Sequence, residues 1–176
     1  MSSNDKTEPV YFWNPDGTWQ EFLSPWYACK FEDAEGVQYR SEEMYMMYQK
    51  AIKFHDKETA KKIMKAETPK EQKDLGRQVK NFNSKVWNEC KEAIVEQGNY
   101  LKFTQGKVTS SDEALRARLL VTGDRELVEA SPEDRLWGIG FSAEDAPQTP
   151  REDWGQNLCG RILMKVRTRL LQEEHE

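Results

Sequence analysis

The chain has 176 residues, with 26 Lys plus Arg against 31 Asp plus Glu, so its net charge is −5 when both histidines are neutral. This length supports one domain with its own hydrophobic core, and 11% aromatic residues argue against disorder. The acidic balance excludes the broad basic surface by which an ordinary nucleic-acid binder holds phosphates, so any contact with nucleic acid is expected to be local.

Several protein classes are excluded by patterns that the sequence lacks. No stretch approaches the ~18 consecutive apolar residues of a membrane-spanning helix, and the polar N-terminus lacks the pattern of a secretory signal. We therefore expect a cytoplasmic protein, with a nuclear location left open, that is not secreted and has no membrane partner. Cys29, Cys90 and Cys159 are far apart and form no C-x-x-C motif, which favours neither a disulfide framework nor a metal site. With His55 and His175 as its histidines, the chain is a poor candidate for a His-based triad.

The first forty residues predict a small antiparallel sheet. Residues 1–8 are polar, and we expect them to be disordered. Three short runs rich in aromatic and β-branched residues follow, with turn sequences between them. The runs are residues 10–13, 26–31 and 37–39, and the turns are residues 14–17 and 33–36.

From Ser41 onward the sequence predicts helices. Ser41 can cap a helix over residues 42–55, Asp56 can cap one over 57–66, and Thr68 begins a capping box. Asn83 or Ser84 can open a longer helix that reaches residue 97.

The remaining signals complete a mostly helical fold. Gly98 is predicted to end the longer helix, and a second capping box begins at Ser110. Residues 126–129 predict a strand, and Asn157 is predicted to cap the last helix, which ends near residue 171. We therefore predict a predominantly helical α+β fold: one domain over residues 9–171 with a small antiparallel sheet near the N-terminus, then a tail over 172–176.

The helix after Ser41 carries an unusual strip of side chains. At 100° per residue, Glu43, Met47, Lys50 and Phe54 share a strip about 60° wide. Glu43 and Lys50 lie ~10.5 Å apart along the axis, so they do not form an i,i+4 ion pair. Two interpretations stay open. Either both charges lie at a rim and reach water, or they face a cleft where desolvation lowers the pKa of Lys50 and makes its amine a nucleophile.

A glycine-rich loop before the last helix is a second candidate region. Gly138-x-Gly140-x-x-Ala143 matches the dinucleotide fingerprint, but no strand stands directly before it and Pro147 ends any helix after it. A Rossmann domain is therefore excluded. Two interpretations remain. Either the glycines let the backbone approach a phosphate while Trp137 stacks on a base, or the loop is a turn and Trp137 fills the core.

Two further features could hold an anion. The N-terminus of the last helix, capped by Asn157, favours negative charge, and Gly160 inside that helix favours close packing or close approach of a ligand. Arg77 follows the Leu75-Gly pair and either neutralises a phosphate or lies on a solvated rim.

Short motifs follow one another along the chain in a definite order. They are Phe22-Leu-Ser-Pro-Trp26, Tyr39-Arg-Ser-Glu-Glu43, Lys50-Ala, Leu75-Gly-Arg77, Lys102-Phe103, Leu119-Leu-Val-Thr-Gly123, Leu127-Val-Glu-Ala130, Asp134, Trp137-Gly-x-Gly140 and Asn157-Leu-x-Gly160. The ordered set covers nearly the whole chain and resembles the NADAR family, which is named for links to NAD and ADP-ribose.

The resemblance implies a mostly helical α+β domain that hydrolyses N-glycosidic bonds. One branch of the family cleaves early riboflavin intermediates, and another removes ADP-ribose from modified guanine in DNA or guanosine nucleotides. Met44 follows Glu43 here, where flavin-related members more often have His, so the ADP-ribose branch is favoured. The expected partner is an ADP-ribose-containing substrate, for example ADP-ribosylated single-stranded DNA. The alternatives are the flavin activity and a non-catalytic sensor of ADP-ribose or NAD.

The resemblance also gives each candidate residue a role. Lys50, made neutral by desolvation, is expected to attack the anomeric carbon of the ribose and form a Schiff base. Glu43 is expected to relay protons, and Asp134 to stabilise the cationic transition state or activate water. No metal and no cofactor is expected. The predicted substrate-binding residues are Phe22, Ser24, Arg77, Trp137, Gly138, Gly140 and Asn157.

Overall fold

The computed structural model describes residues 7–175. Most of the predicted disordered N-terminus, residues 1–6, and the end of the predicted tail, residue 176, lie outside the described residues. Within residues 7–175 there are six α-helices and four short strands. They are β1 Val10–Phe12, β2 Phe31–Glu32, β3 Gln38–Tyr39, α1 Glu42–Lys53, α2 Lys57–Lys65, α3 Pro69–Gly76, α4 Ser84–Gln105, α5 Leu115–Val121, β4 Leu127–Glu129 and α6 Leu158–Glu173.

The chain forms two compact units. The central unit, Ala28–Ala114, contains β2, β3 and helices α1 to α4. The terminal unit joins the described residues up to Tyr27 with those from Leu115 onward, and contains β1, β4, α5 and α6. None of the helices in residues 7–175 has both the length and the apolar character needed to cross a membrane.

The predicted caps of three helices in the central unit are present. Ser41 and Asp56 each accept a hydrogen bond from the backbone N–H three residues later, at 3.2 and 3.0 Å. Thr68 forms the reciprocal capping box at the start of α3. These bonds satisfy N–H groups that have no partner inside the helix, so α1, α2 and α3 begin where the sequence predicts.

Two predicted boundaries around α4 are wrong. The helix does not end at Gly98 but continues to Gln105. A Cβ on Gly98 would lie 2.5 Å from Cδ1 of Tyr45 on α1, so this glycine permits close helix packing rather than a helix end. The capping box at Ser110 is also absent, because the N–H of Val108 donates to the carbonyl of Glu113 and closes a turn there.

The strands only partly follow the predicted antiparallel sheet. β2 and β3 form the antiparallel pair, in which Phe31 lies opposite Tyr39 with ring centroids 5.5 Å apart. β1 instead pairs in parallel with β4, and Val10 lies opposite Leu127. Parallel strands need a long connection, so the pattern of the first forty residues alone could not reveal this partner.

Helix α6 packs on β4 within the terminal unit. A Cβ on Gly160 would collide with the carbonyl oxygen of Leu127 in β4, so the backbones of helix and strand approach closely at this point. The apolar stripe of α6 is buried, and it consists of Cys159, Ile162, Leu163, Val166 and Leu170.

Candidate active site

The amine of Lys50 is held against two aromatic rings in the central unit. Its Nζ lies 4.6 Å from the ring centroid of Phe82 and 5.7 Å from that of Trp87. Phe82 belongs to the segment before α4, and Trp87 lies in the first turn of α4. The faces of aromatic rings attract cations at this range. The half-buried Lys50 therefore has a defined position rather than a freely solvated one.

Burial is the main influence on the ionisation of Lys50. Desolvation lowers the pKa of Lys50, the positive charge of Arg77 lowers it further, and the carboxylate of Glu43 opposes both. A lowered pKa increases the fraction of neutral amine near neutral pH. The neutral amine is the form that can act as a nucleophile.

Glu43 lies inside the central unit rather than at its rim. Its side chain is 7% exposed, and its strip neighbours Met47 and Phe54 are buried as well. The interpretation in which both charges reach water is therefore wrong for Glu43. The structure supports the alternative, a buried carboxylate two helical turns from a partly desolvated amine.

Arg77 lies directly after α3 and is exposed. Its Nη1 is 3.7 Å from Oδ1 of Asp74, in an exposed ion pair. Such surface pairs contribute little to stability, so a phosphate could replace Asp74 at small cost. Because Arg77 influences the pKa of Lys50, a phosphate bound there would lie within electrostatic range of the amine.

Asp56 anchors the segment that carries Phe82. Its Oδ1 accepts from the N–H of Thr59 at 3.0 Å, and its Oδ2 accepts from the N–H of Lys80 at 2.9 Å. The hydrogen bond from the Lys80 backbone has the largest effect, and together these bonds lower the pKa of Asp56 to about 2. The carboxylate therefore ties α2 to a point two residues before Phe82.

We expect Asp56→Asn to destabilise the protein at neutral pH, since an amide offers one acceptor oxygen to two N–H donors. The folded-state pKa lies below the unfolded value of about 4. The wild-type carboxylate therefore stabilises the fold above about pH 4, and this contribution is lost as the pH falls toward about 2. The melting temperatures of the two proteins should differ by a constant amount above about pH 4 and converge as the pH falls from about 4 to about 2. Asp112→Asn, in an exposed loop, is the control, and a difference that stays constant across this range would contradict the expected charge effect.

The acidic candidate Asp134 lies in the terminal unit and fixes a turn. Its Oδ1 accepts from the backbone N–H groups of Leu136 and Trp137, at 2.9 and 2.8 Å. Trp137 is half-buried, which is compatible with both interpretations of its ring. Asp134 therefore sets the position of Trp137, and its catalytic role stays a prediction.

The glycine-rich loop packs against β4 and α6. A Cβ on Gly138 would lie 2.8 Å from the carbonyl oxygen of Glu129, and Gly140 has a φ of +77°. Both positions therefore need glycine for packing or backbone conformation. The N–H groups of Asn157, Leu158 and Cys159 donate to carbonyl oxygens of this loop, so the first N–H groups of α6 are occupied.

Asn157 connects α6 to β4 rather than capping the helix with its side chain. It has a left-handed conformation with a φ of 50° and makes no side-chain cap. Its Oδ1 accepts from the N–H of Glu129 and its Nδ2 donates to the carbonyl of Leu127, both at 2.9 Å. Asn157 is among the predicted substrate-binding residues, and these bonds favour an indirect role in which it fixes the loop.

Two predicted substrate-binding residues near the N-terminus lie inside the terminal unit. Phe22 is fully buried and meets Trp19 edge-on at 5.3 Å. Ser24 is buried as well, and its Oγ accepts from the N–H of Trp26 at 3.1 Å. Their contact with a substrate stays a prediction.

The predicted residues thus fall into two groups. Glu43, Lys50 and Arg77 come together in the central unit, and the other seven belong to the terminal unit. The sequence patterns do not single out Phe82 and Trp87. The signal for Phe82 is an aromatic residue between two asparagines in a polar stretch before a helix.

The chain belongs to the NADAR family. The model of the NADAR domain matches residues 11–171, which confirms the resemblance drawn from the ordered motifs. The match spans both compact units.

Three relatives illustrate this membership. N-glycosidase R617 of Acanthamoeba polyphaga mimivirus is 43% identical over 150 residues, which are 82% of this chain and 85% of R617. Riboflavin biosynthesis protein VVA0006 of Vibrio vulnificus is 32% identical over 175 residues, 99% of this chain but 41% of that protein. The solved structure of Escherichia coli YbiA, which is named an N-glycosidase, has a TM-score of 0.74 and 25% identity, with 96% of this chain and 88% of YbiA covered. The predicted predominantly helical α+β fold is confirmed.

Proposed function

We propose that the chain is an N-glycosidase that removes ADP-ribose from modified guanine, in DNA or in guanosine nucleotides. The observation that carries this proposal is the partly desolvated amine of Lys50 two helical turns from the buried carboxylate of Glu43. R617 and YbiA are both named N-glycosidases, which supports hydrolysis of an N-glycosyl bond as the reaction class.

The first step proposed is displacement of the base by Lys50. The lone pair of Nζ forms a bond to the anomeric carbon of the ribose. The carbon–nitrogen bond to guanine breaks, and its electron pair leaves with the base, which takes up a proton. In this proposal Glu43 accepts the proton that Nζ then loses and passes a proton on. The ribose is now joined to Lys50 as a glycosylamine.

The second step releases the sugar. The ring oxygen leaves the anomeric carbon with the bonding electron pair and takes up a proton, while the lone pair of Nζ forms the double bond of a protonated Schiff base. Water adds to this carbon, the bond to Nζ breaks, and ADP-ribose and the free amine result. The sum is one water consumed for one N-glycosyl bond cleaved, with no oxidant or metal required.

The remaining candidates are assigned to binding and charge stabilisation. Arg77 is exposed near Lys50 and suits one phosphate of the diphosphate. Asp134 and Trp137 belong to the terminal unit, and the charge-stabilising and stacking roles that the resemblance gives them stay predictions. Gly138, Gly140 and Asn157 hold the loop around Trp137 in shape, and contact of Phe22 and Ser24 with a substrate stays a prediction.

A second candidate is cleavage of an early riboflavin intermediate. It is favoured by the similarity to VVA0006, whose name places it in riboflavin biosynthesis. The same amine chemistry would serve, since both substrates carry a ribose attached to nitrogen. The two candidates therefore differ in the base and in the phosphate groups, not in the covalent step.

The test is release of sugar from both substrates in parallel. Purified protein is incubated with single-stranded DNA carrying ADP-ribosylated guanine and, separately, with the riboflavin intermediate, and products are followed by mass spectrometry. We expect release of ADP-ribose and, with borohydride present, a reduced covalent adduct at Lys50. Cleavage of the flavin intermediate alone would establish the second candidate. Tight binding without turnover or adduct would indicate a sensor of ADP-ribose or NAD instead.

A further inference from the structure

We propose that Phe82 and Trp87 are positioning residues that stabilise the cationic Schiff base formed at Lys50. This inference rests on the proposed function, and it adds two residues to the site that neither the motifs nor the family assignment indicated. It follows from where the Nζ atom lies and from the exposure of Phe82.

The geometry brings two ring faces to one reacting atom. The ring centroids of Phe82 and Trp87 lie 4.6 and 5.7 Å from Nζ of Lys50, both within the range of a cation–π interaction. Phe82 is held by Asp56 through the Lys80 backbone and by an edge-on contact with Phe54, whose ring centroid is 5.3 Å away. The fold of the central unit itself therefore brings both rings to Nζ.

Phe82 is one of the exposed large hydrophobic residues in the described part of the chain. Its side chain is 46% exposed, whereas Trp87 is 8% exposed. The ring of Phe82 is therefore accessible from solvent, whereas that of Trp87 is enclosed. Its contact with the amine gives this exposed ring a role at the site.

The rings act differently on the two protonation states of Lys50. They attract the ammonium ion and the protonated Schiff base, which are both cations, but not the neutral amine. Below the pKa of Lys50 the starting state is the ammonium ion, and the rings stabilise it as much as they stabilise the Schiff base. The free-energy difference between the two is therefore unchanged by the rings. Above that pKa the starting state is neutral, and the rings favour the intermediate.

The charged groups around Lys50 are the same in wild type and in a variant of Phe82. Glu43 on α1 and Arg77 after α3 are the charged side chains that influence its pKa. Phe82 and Trp87, from the segment before α4 and from α4 itself, contribute ring faces without charge. Replacing Phe82 by leucine therefore removes a cation–π contact while Glu43 and Arg77 stay in place.

The first experiment measures trapped Schiff base as a function of pH. Phe82→Leu and wild type are given ADP-ribosylated single-stranded DNA and borohydride, and the Lys50 adduct is quantified. We expect about two- to fivefold less adduct in Phe82→Leu above the pKa of Lys50, and equal amounts below it. Phe82→Tyr, which keeps the ring face, should match wild type. Trp13→Leu, which removes another exposed aromatic ring, is the control.

A second measurement separates this inference from the proposed function. Lysines are reductively methylated with ¹³C-formaldehyde, the Lys50 signal is assigned with Lys50→Arg, and its pKa is followed by NMR without substrate. We expect a lower pKa for Lys50 in Phe82→Leu, because the ammonium form has lost a ring face. An unchanged or raised pKa, or an equal loss of adduct at every pH, would overturn the inference. Absence of any adduct in wild type would overturn the Schiff base itself, while the titration would still show whether the rings hold the cation.

Discussion

Lys50→Ala is expected to abolish release of ADP-ribose while the protein stays folded. The variant lacks the amine that forms the covalent bond, and loss of a nucleophile costs far more than tenfold in rate. Folding should be almost unaffected, because the half-buried amine is partly desolvated and its charged form gains little from the fold. The measurements are the single-turnover rate, the borohydride adduct and a thermal melt followed by circular dichroism.

Two further substitutions show whether the loss of activity comes from the missing nucleophilic amine of Lys50. Lys50→Arg keeps a positive charge but has no nucleophilic amine, so it should also be inactive and give no adduct. Lys53→Ala removes an exposed lysine one turn further along the same helix and should keep wild-type activity. A rate above about a tenth of wild type in Lys50→Ala would exclude the nucleophilic role.

The parts of the fold that the sequence predicts well are those with local causes. Ser41, Asp56 and Thr68 satisfy backbone N–H groups within four residues of themselves. The strip containing Glu43 and Lys50 follows from helical geometry alone. Such features depend on the nearest turn of the chain, so one sequence is enough to place them.

The parts that the sequence does not predict depend on residues far apart in the chain. The pattern predicts a helix end at Gly98. In the structure, the missing side chain of Gly98 leaves room for the ring of Tyr45, fifty-three positions earlier. The partner of β1 is β4, more than a hundred residues away. Nothing in the local pattern distinguishes a glycine that ends a helix from one that admits a neighbouring side chain.

The candidate site shows the same division. Lys50 and Glu43 could be named because they share a helix, and the structure adds the burial that changes their chemistry. Phe82 could not be linked to Lys50 because thirty-one residues of intervening chain, including α2 and α3, separate the two. The ring reaches the amine through tertiary contacts such as the Asp56 bond to Lys80.

Gly160→Ala is expected to cause a large loss of stability, although alanine is the better helix former. The added Cβ would overlap the carbonyl oxygen of Leu127 and lie 2.6 Å from the side-chain atoms of Asn157. The overlap cannot be relieved by rotating a side chain, because the nearest atom belongs to the backbone of β4. Because the overlap is with backbone, we take the upper end of the usual overpacking cost, about 3 kcal/mol, which exceeds the ~1 kcal/mol that alanine gains over glycine inside a helix.

The added methyl group should also disturb the hydrogen bonds that Asn157 makes to β4, because the side chain of Asn157 lies directly against it. We therefore expect the melting temperature of Gly160→Ala to fall by about 4–8 °C, from a net loss of about 2 kcal/mol at 2–4 °C per kcal/mol for a chain of this size. Arg161→Ala, at the next and exposed position of α6, is the matched control and should melt close to wild type. A melting temperature of Gly160→Ala at or above the wild-type value would show that helix propensity outweighs the overlap, and that α6 can move away from β4 at little cost.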